Sequence, residues 1–114
     1  MSAFAVVLDQ PRQLALKRLE LTSAADADCV VDIDYSGIST GTERLLWTGR
    51  MPPFPGMGYP LVPGYESVGR VIKAGIDSGR SEGELVFVPG ARCYGDVNGL
   101  FGGAASRVVV PGAR

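Results

Sequence analysis

Glycines and prolines interrupt this chain at short intervals, and that spacing limits the secondary structure it can form. The 114 residues include 16 glycines and 8 prolines, with short apolar segments between them. Proline removes a backbone donor and glycine weakens regular elements, so both tend to end helices and strands. Short strands separated in this way are typical of all-β folds. We therefore predict a mostly β domain, an antiparallel barrel with one brief helix.

The predicted strands are the apolar segments with alternating or β-branched character: residues 4–8, 14–21, 29–35, 67–74, 85–88 and 104–110, with 91–94 as a further candidate. In the second strand the alternation of leucines slips near Arg18, which predicts a bulge. In the third, Cys29 and Tyr35 lie on one side and Asp32 and Asp34 on the other, which predicts a half-buried strand with Cys29 in the core. Residues 85–88 are predicted to be buried.

A single short helix is predicted after Gly37. Thr40 and Glu43 have the spacing of a capping box, in which the side chains at the two positions satisfy backbone donors of the first helical turn. One or two helical turns should follow and end near Gly49. Because capping already explains this spacing, a structural role for Glu43 is favoured over a catalytic one.

Composition excludes several classes of function. The net charge of -1 and the absence of a Lys/Arg cluster argue against a nucleic-acid partner. No apolar run approaches the roughly 20 residues of a membrane span, and the first residues lack the basic region of a signal peptide. Cys29 and Cys93 are interpreted as reduced thiols of a cytoplasmic protein rather than as a disulfide. The chain has no histidine, so no imidazole can act as a base or ligate a metal.

Residues 35–71 hold the candidate site. Ser39 and Thr40 follow one glycine, and Tyr65 and Glu66 follow another. The loop between them is too apolar for an ordinary solvated connection and too rich in proline for a helix or a central strand. We interpret it as the apolar wall of a substrate site, although its large side chains could also be ordinary core. Those side chains, with the helix tryptophan, are Trp47, Phe54, Met57 and Tyr59.

These motifs resemble the N-terminal, GroES-like domain of the medium-chain dehydrogenases/reductases. The similarity rests on G-I-x-x-x-T-E at 37–43, Y-P-L-V-P-G-Y-E-S-V-G-R-V at 59–71, G-E-L-V-F-V-P-G at 83–90 and A-S-R-V-V-V-P at 105–111. It implies a partly open β-barrel with one or two short helices. Residues 35–50 and 63–66 resemble members that use NAD to oxidise the 3-hydroxyethyl group of a bacteriochlorophyllide precursor to acetyl.

The resemblance also implies which residues do the chemistry. Zinc-dependent members carry Cys where Ser39 stands and His where Tyr65 stands, beside the glutamate retained as Glu66. Zinc favours thiolate and imidazole ligands, so we do not expect zinc here. Ser39, Thr40 and Tyr65 then become candidates for hydrogen-bonding the alcohol oxygen, and Glu66 for accepting its proton or orienting the other groups.

A tetrapyrrole pigment is the expected partner. Rigid aromatic and methionine surfaces suit a flat apolar macrocycle because little is lost in ordering them, which favours a substrate-contacting role for Trp47, Phe54, Met57 and Tyr59. NAD should be bound mainly elsewhere, because no G-x-G-x-x-G opens a helix in this chain. We therefore interpret residues 1–114 as the substrate domain of a longer enzyme, inactive alone. The resemblance implies a homodimer for the complete protein.

Two alternatives remain at this point. One is a zinc-free quinone or enoyl reductase of the same family, which would use the same pocket for a smaller substrate. The other is a non-catalytic GroES-like interaction module, because a fold does not determine a function.

Overall fold

The structure is a computed structural model that describes residues 1–38, 40–52, 57–99 and 101–112. Within these ranges it contains the strands and the helix expected of a mostly β domain. In chain order they are β1 (Ser2–Gln10), β2 (Gln13–Glu20), β3 (Asp28–Ser36), α1 (Thr40–Thr48), β4 (Ser67–Ala74), β5 (Leu85–Val88) and β6 (Arg107–Pro111).

Two antiparallel sheets curl into a partly open barrel. Four strands form a sheet in the order β5-β4-β3-β6, and β1 pairs with β2 as a separate ribbon. The residues before β6 join the two sheets, since the Val6 amide donates to the Ala104 carbonyl at 2.9 Å and the Ser106 amide to the Phe4 carbonyl at 2.8 Å. Strands β2 and β5 lie at the two ends of this arrangement, so the barrel does not close. The predicted fold class is confirmed.

The core lies between the ribbon and the larger sheet. It contains alternate residues of β1 and neighbouring valines of β3 and β6, since both faces of β3 are covered near its start. Its fully buried members include Ala5, Val30, Val31, Val62 and Val108. Cys29 is also in this core, as predicted, and both cysteines are free thiols. Burial raises the pKa of each thiol. Such burial keeps a thiol neutral and unreactive.

The predicted bulge near Arg18 is wrong. The β1–β2 ladder runs without interruption through the Phe4–Arg18 pair, and its irregularity lies near the turn, between Leu8 and Gln10. The leucines change side because β2 has an apolar residue set on each face. Leu19 and Leu21 pack towards the core, whereas Leu14 and Leu16 face the other way.

Two predictions about the second half of the chain need correction. Residues 85–88 do form a strand, but Leu85 and Phe87 are exposed because β5 is an edge strand with one uncovered face. Residues 91–94 form no strand. Their polar groups form hydrogen bonds outside any sheet instead. The Ala91 amide donates to the Phe101 carbonyl, and the Tyr94 hydroxyl donates to the Gly102 carbonyl.

The helix is confirmed. α1 spans Thr40–Thr48, and Gly49 follows it with φ 75°, the left-handed conformation that commonly ends a helix. Only Leu46 of this helix is fully buried, so α1 covers the barrel with one side and leaves the rest at the surface. In the parts of the chain that the structure describes, we find no helix of the length and apolarity that crossing a membrane requires.

Candidate active site

A polar corner forms where the end of β3 meets the start of β4. Ser36 pairs with Ser67, and the Gly37 amide donates to the Glu66 carbonyl at 2.6 Å. The Glu66 carboxylate folds back over Gly37, because a β-carbon built on Gly37 would lie 2.9 Å from Glu66 Oε2. Glycine at position 37 thus leaves room for the carboxylate beside the segment that leads into α1.

The backbone of the segment before β4 is fixed by the residues before β6. Gly64 has φ 100°, and the Gly103 amide donates to its carbonyl at 2.7 Å. Ser67 is fully buried, and its hydroxyl donates to the Gly103 carbonyl at 3.0 Å. These bonds connect residues far apart in sequence, so the position of Glu66 depends on the folded barrel rather than on its local sequence.

A cavity of about 570 Å³ lies next to this corner. Ser36, Gly37 and Glu43 provide its polar side, and the rest of its wall is mostly apolar. The apolar members are Phe4, Val6, Leu8, Leu14, Leu16, Ile38, Trp47, Pro63, Ala104 and Ala105. A volume of this size is typical of small-molecule sites, which combine an apolar wall with a few polar groups.

One face of the β1–β2 ribbon supplies much of that wall. Across the ribbon, Val6 pairs with Leu16 and Leu8 with Leu14. Side chains alternate between the two faces of a strand, so these residues share one face while Ala3, Ala5 and Val7 take the other and enter the core. The ribbon therefore separates the core from the cavity.

The structure brings together only some of the predicted site residues. Glu66 lies at the polar corner, and Thr40 is the exposed first residue of α1. The half-buried Tyr65 ring packs against Phe101, with centroids 5.0 Å apart and planes tilted by 52°. Among the described residues, the cavity lining includes Trp47 but none of these three. Ser39 lies outside the described residues.

The described residues of the apolar loop contribute more to packing than to the cavity. Met57 and Tyr59 are half-buried and pack against the small cluster of Leu8, Leu46 and Leu61. The Tyr59 hydroxyl donates to the Leu46 carbonyl, and burial raises its pKa. Phe54 falls outside the part of the chain that is described. Met57 and Tyr59 thus hold α1 against the ribbon.

Sequence reasoning missed the ribbon's contribution to the cavity. The strand patterns identify Phe4, Leu14 and Leu16 only as strand residues, and the Thr40–Glu43 spacing identifies Glu43 only as a helix cap. Leucines on both faces of β2 were a usable signal, because a strand with one solvated face carries only one apolar set. No sequence signal indicates that Glu43 lines the cavity, because its position there depends on how α1 packs.

The donor set does not fit a zinc ion. In the ranges given above, no three His, Cys, Asp or Glu side chains group closely enough to hold a metal. The whole sequence lacks histidine, and both cysteines are buried in the core. Zinc binds chiefly through thiolates and imidazoles, so we derive no chemistry through a metal here.

The glycine-rich loop near residue 100 does not fit a dinucleotide. A β-carbon at Gly99 or Gly102 would collide with the Ala91 carbonyl oxygen, at 2.2 and 2.0 Å. A β-carbon at Gly103 would meet the Ser67 hydroxyl at 2.5 Å. The space that these glycines leave is filled by this chain's own backbone and side chains, so it is no cradle for a phosphate. We derive no step through NAD on this chain.

The partly open barrel and its apolar cavity are features of a known class of dehydrogenase domain. The alcohol dehydrogenase GroES-like domain family matches residues 25–114, and the chain belongs to that family, within the medium-chain dehydrogenases/reductases. The recognition made from the motifs is confirmed.

Two individual proteins share about half of their aligned residues with the chain. The chain is 53% identical to 2-desacetyl-2-hydroxyethyl bacteriochlorophyllide A dehydrogenase of Cereibacter sphaeroides, over all of the chain and 37% of the relative. It is 54% identical to the protein of the same name from Rhodobacter capsulatus, over 96% of the chain and 35% of the relative. The chain thus spans little more than a third of the length of these two relatives.

Solved structures agree on the fold. A probable oxidoreductase from Mycobacterium abscessus superposes with a TM-score of 0.72 at 28% identity, over 99% of this chain and 34% of that one. Other structures of the fold were solved with NADH or NADP, and one with cobalt and zinc. These are 15% to 22% identical to the chain, so they show the fold alone.

Proposed function

We propose that this chain is the substrate-side domain of an enzyme that oxidises the hydroxyethyl side chain of a bacteriochlorophyllide precursor to acetyl. NAD is the proposed hydride acceptor, held mainly by a further domain. The observation that carries this proposal is the apolar cavity with Ser36, Gly37 and Glu43 on its polar side and Glu66 behind Gly37. Identity of 53% to a dehydrogenase of that pigment supports the substrate class.

The oxidation removes a hydride from carbon and a proton from the hydroxyl oxygen. We propose that Tyr65, with Ser39 or Thr40, hydrogen-bonds the alcohol oxygen, and that Glu66 accepts or relays the proton. Glu66 is suited to this role because its side chain is solvent-exposed and can pass a proton to water. Trp47, Phe54, Met57 and Tyr59 are retained as the proposed pigment contacts, with Trp47 supported by its place in the cavity wall.

The test is turnover by the full-length protein with a hydroxyethyl pigment and NAD. Tyr65→Phe and Glu66→Gln should each lower kcat by about 10²-fold, the usual size of a general acid–base contribution. Tyr35→Phe is the matched control, because Tyr35 is 79% exposed on β3 and does not line the cavity. Wild-type kcat in both Tyr65→Phe and Glu66→Gln would reject the assigned roles.

The proposed reaction needs no zinc. Dialysis of the full-length protein against a strong chelator should leave kcat unchanged within about twofold, because the described donor set does not fit the metal. Elemental analysis should find less than stoichiometric zinc in the active enzyme. Activity that is lost on chelation and restored by zinc alone would contradict this part of the proposal.

A cellular compartment and an oligomeric state are also proposed for the enzyme. Two buried free thiols support a reducing compartment, and we propose the cytoplasm. A homodimer is proposed for the complete protein on the family resemblance.

A further inference from the structure

We propose that the cavity and an adjoining polar groove together recognise a tetrapyrrole that carries a free carboxylate. The cavity takes the macrocycle, and the Arg18 guanidinium takes the carboxylate. This inference rests on the proposed function and extends it. It states which group of the pigment the protein recognises, and it assigns that recognition to a residue outside the predicted site.

Several large apolar side chains of the cavity wall are exposed to solvent. Phe4, Leu14, Leu16 and Trp47 are 47%, 58%, 71% and 38% exposed. All four line the same cavity, and exposed apolar surface gathered in one place commonly marks a binding site. An occupant that is broad, flat and apolar would remove this area from water without ordering flexible groups.

The polar groove begins where the cavity ends. It has a volume of about 410 Å³, and Phe4 and Ser106 belong to the walls of both. Its remaining members are mostly polar or charged: Ser2, Ala3, Arg18, Asp32, Ile33, Asp34 and Arg107. A ligand lying along the ribbon would therefore pass from an apolar wall to a charged one.

Arg18 is the cation best placed to meet such a ligand. It pairs with Phe4 across the ribbon, on the face that carries Leu16, and its guanidinium carbon lies 5.0 Å from the centroid of the Phe4 ring. Arg107 is already engaged, because it donates to both Asp32 oxygens at 2.5 and 3.2 Å. None of the ion pairs found in the described ranges includes Arg18.

A carboxylate on the pigment would complete this arrangement. A guanidinium held over an aromatic ring presents its planar edge to a carboxylate with little loss of side-chain freedom. A bacteriochlorophyllide is a free acid, so it offers both the apolar ring and the carboxylate. Asp34, the other groove carboxylate, lies on the exposed part of β3 and would oppose the same ligand.

The experiment compares the free acid of the hydroxyethyl pigment with its methyl ester, using the full-length protein. Wild-type kcat/KM should favour the acid by about tenfold, as expected for a charge-assisted hydrogen bond at a partly exposed site. Arg18→Gln should abolish that preference by raising KM for the acid alone, and Arg18→Lys should retain most of it. Asp34→Asn should increase the preference. Arg92→Gln, at an exposed arginine outside both the cavity and the groove, should change nothing.

A second variant tests the apolar part. Leu16→Glu should weaken binding of acid and ester alike by more than about tenfold, and Ile76→Glu, at a residue 85% exposed, is its control. Binding is followed without NAD by the shift in pigment absorbance. Equal kcat/KM for acid and ester in the wild type, or an equal loss of both in Arg18→Gln, overturns the carboxylate site. Pigment that binds with the predicted preference but is not oxidised overturns the proposed function instead.

Discussion

At Gly37 the absence of a side chain fixes the position of a proposed catalytic group. The Glu66 carboxylate lies within 2.9 Å of the point where a β-carbon of residue 37 would project, and the Gly37 amide donates to the Glu66 carbonyl. The site thus depends on the absence of a side chain at a position that α1 separates from Glu66 in the sequence. Such dependence makes position 37 a sensitive probe of the Glu66 role.

Gly37→Ala should lower kcat of the full-length enzyme by about tenfold while the protein stays folded. The new β-carbon would lie 2.9 Å from Glu66 Oε2 and 3.2 Å from Glu66 Cβ, so the carboxylate must move. Small displacements of catalytic groups have large kinetic effects. The measurement is steady-state kinetics with a circular dichroism check of the fold.

Gly41→Ala is the matched control for this variant. A β-carbon there meets nothing within 4 Å, and alanine favours the helix by roughly 0.5–1 kcal/mol. Unchanged kcat and slightly higher stability are expected. If Gly37→Ala behaves in the same way, Glu66 need not occupy its observed position for turnover.

At the scale of the elements, sequence patterns predicted most strands but not which surfaces they cover. The alternation of Cys29, Val31 and Ile33 was enough to identify β3, and the Thr40–Glu43 spacing was enough to identify α1. The exposed face of β5 and the cavity face of β2 depend on which neighbours each strand acquires. Residues 61 and 104–106, for example, bond to β1 and join the ribbon to the rest of the barrel, through contacts that no local pattern encodes.

The β3–β6 pairing offers a test at this scale. Asp32 and Arg107 face each other across these strands, with Arg107 Nε 2.5 Å from Asp32 Oδ1. Asp32→Asn should lower the free energy of unfolding by about 0.5–1 kcal/mol, because the pair is partly solvent-screened. Urea denaturation at low salt and in 1 M salt should show the loss shrinking as salt rises.

Asp34→Asn provides the comparison, since Asp34 lies on the same strand and is exposed. A change of less than about 0.5 kcal/mol is expected there, as for most surface substitutions. An equal loss in both variants would mean that strand charge, rather than the Asp32–Arg107 pair, stabilises the sheet.

At the scale of the whole molecule, the buried thiols and a buried phenol couple folding to alkaline pH. Cys93 and Tyr94 are 1% and 4% exposed, and burial raises the pKa of both side chains. Their folded pKa values lie above their unfolded ones, so the stability that they contribute is fully present below pH 9 and is lost as pH rises further.

Urea denaturation between pH 7 and pH 10.5 should therefore show a falling free energy of unfolding. Cys93→Ala should flatten the part of this decline that begins near pH 9, because the thiol that ionises in the unfolded state is gone. Its stability at pH 7 will be lower, since the cavity left by sulfur is not refilled. A decline of unchanged steepness in the variant would assign the pH dependence to other groups.

The ribbon of β1 and β2 has a consequence for how such an enzyme could change its preferred ligand. Positions 3, 5 and 7 of β1 enter the core, whereas positions 4, 14 and 16 of the ribbon line the cavity and position 18 lines the adjoining groove. Substitutions at the ligand-facing positions can therefore change which pigment binds without disturbing the core. A combinatorial library restricted to positions 4, 14, 16 and 18 should yield mostly folded proteins of altered ligand range, whereas one at 3, 5 and 7 should yield mostly aggregates.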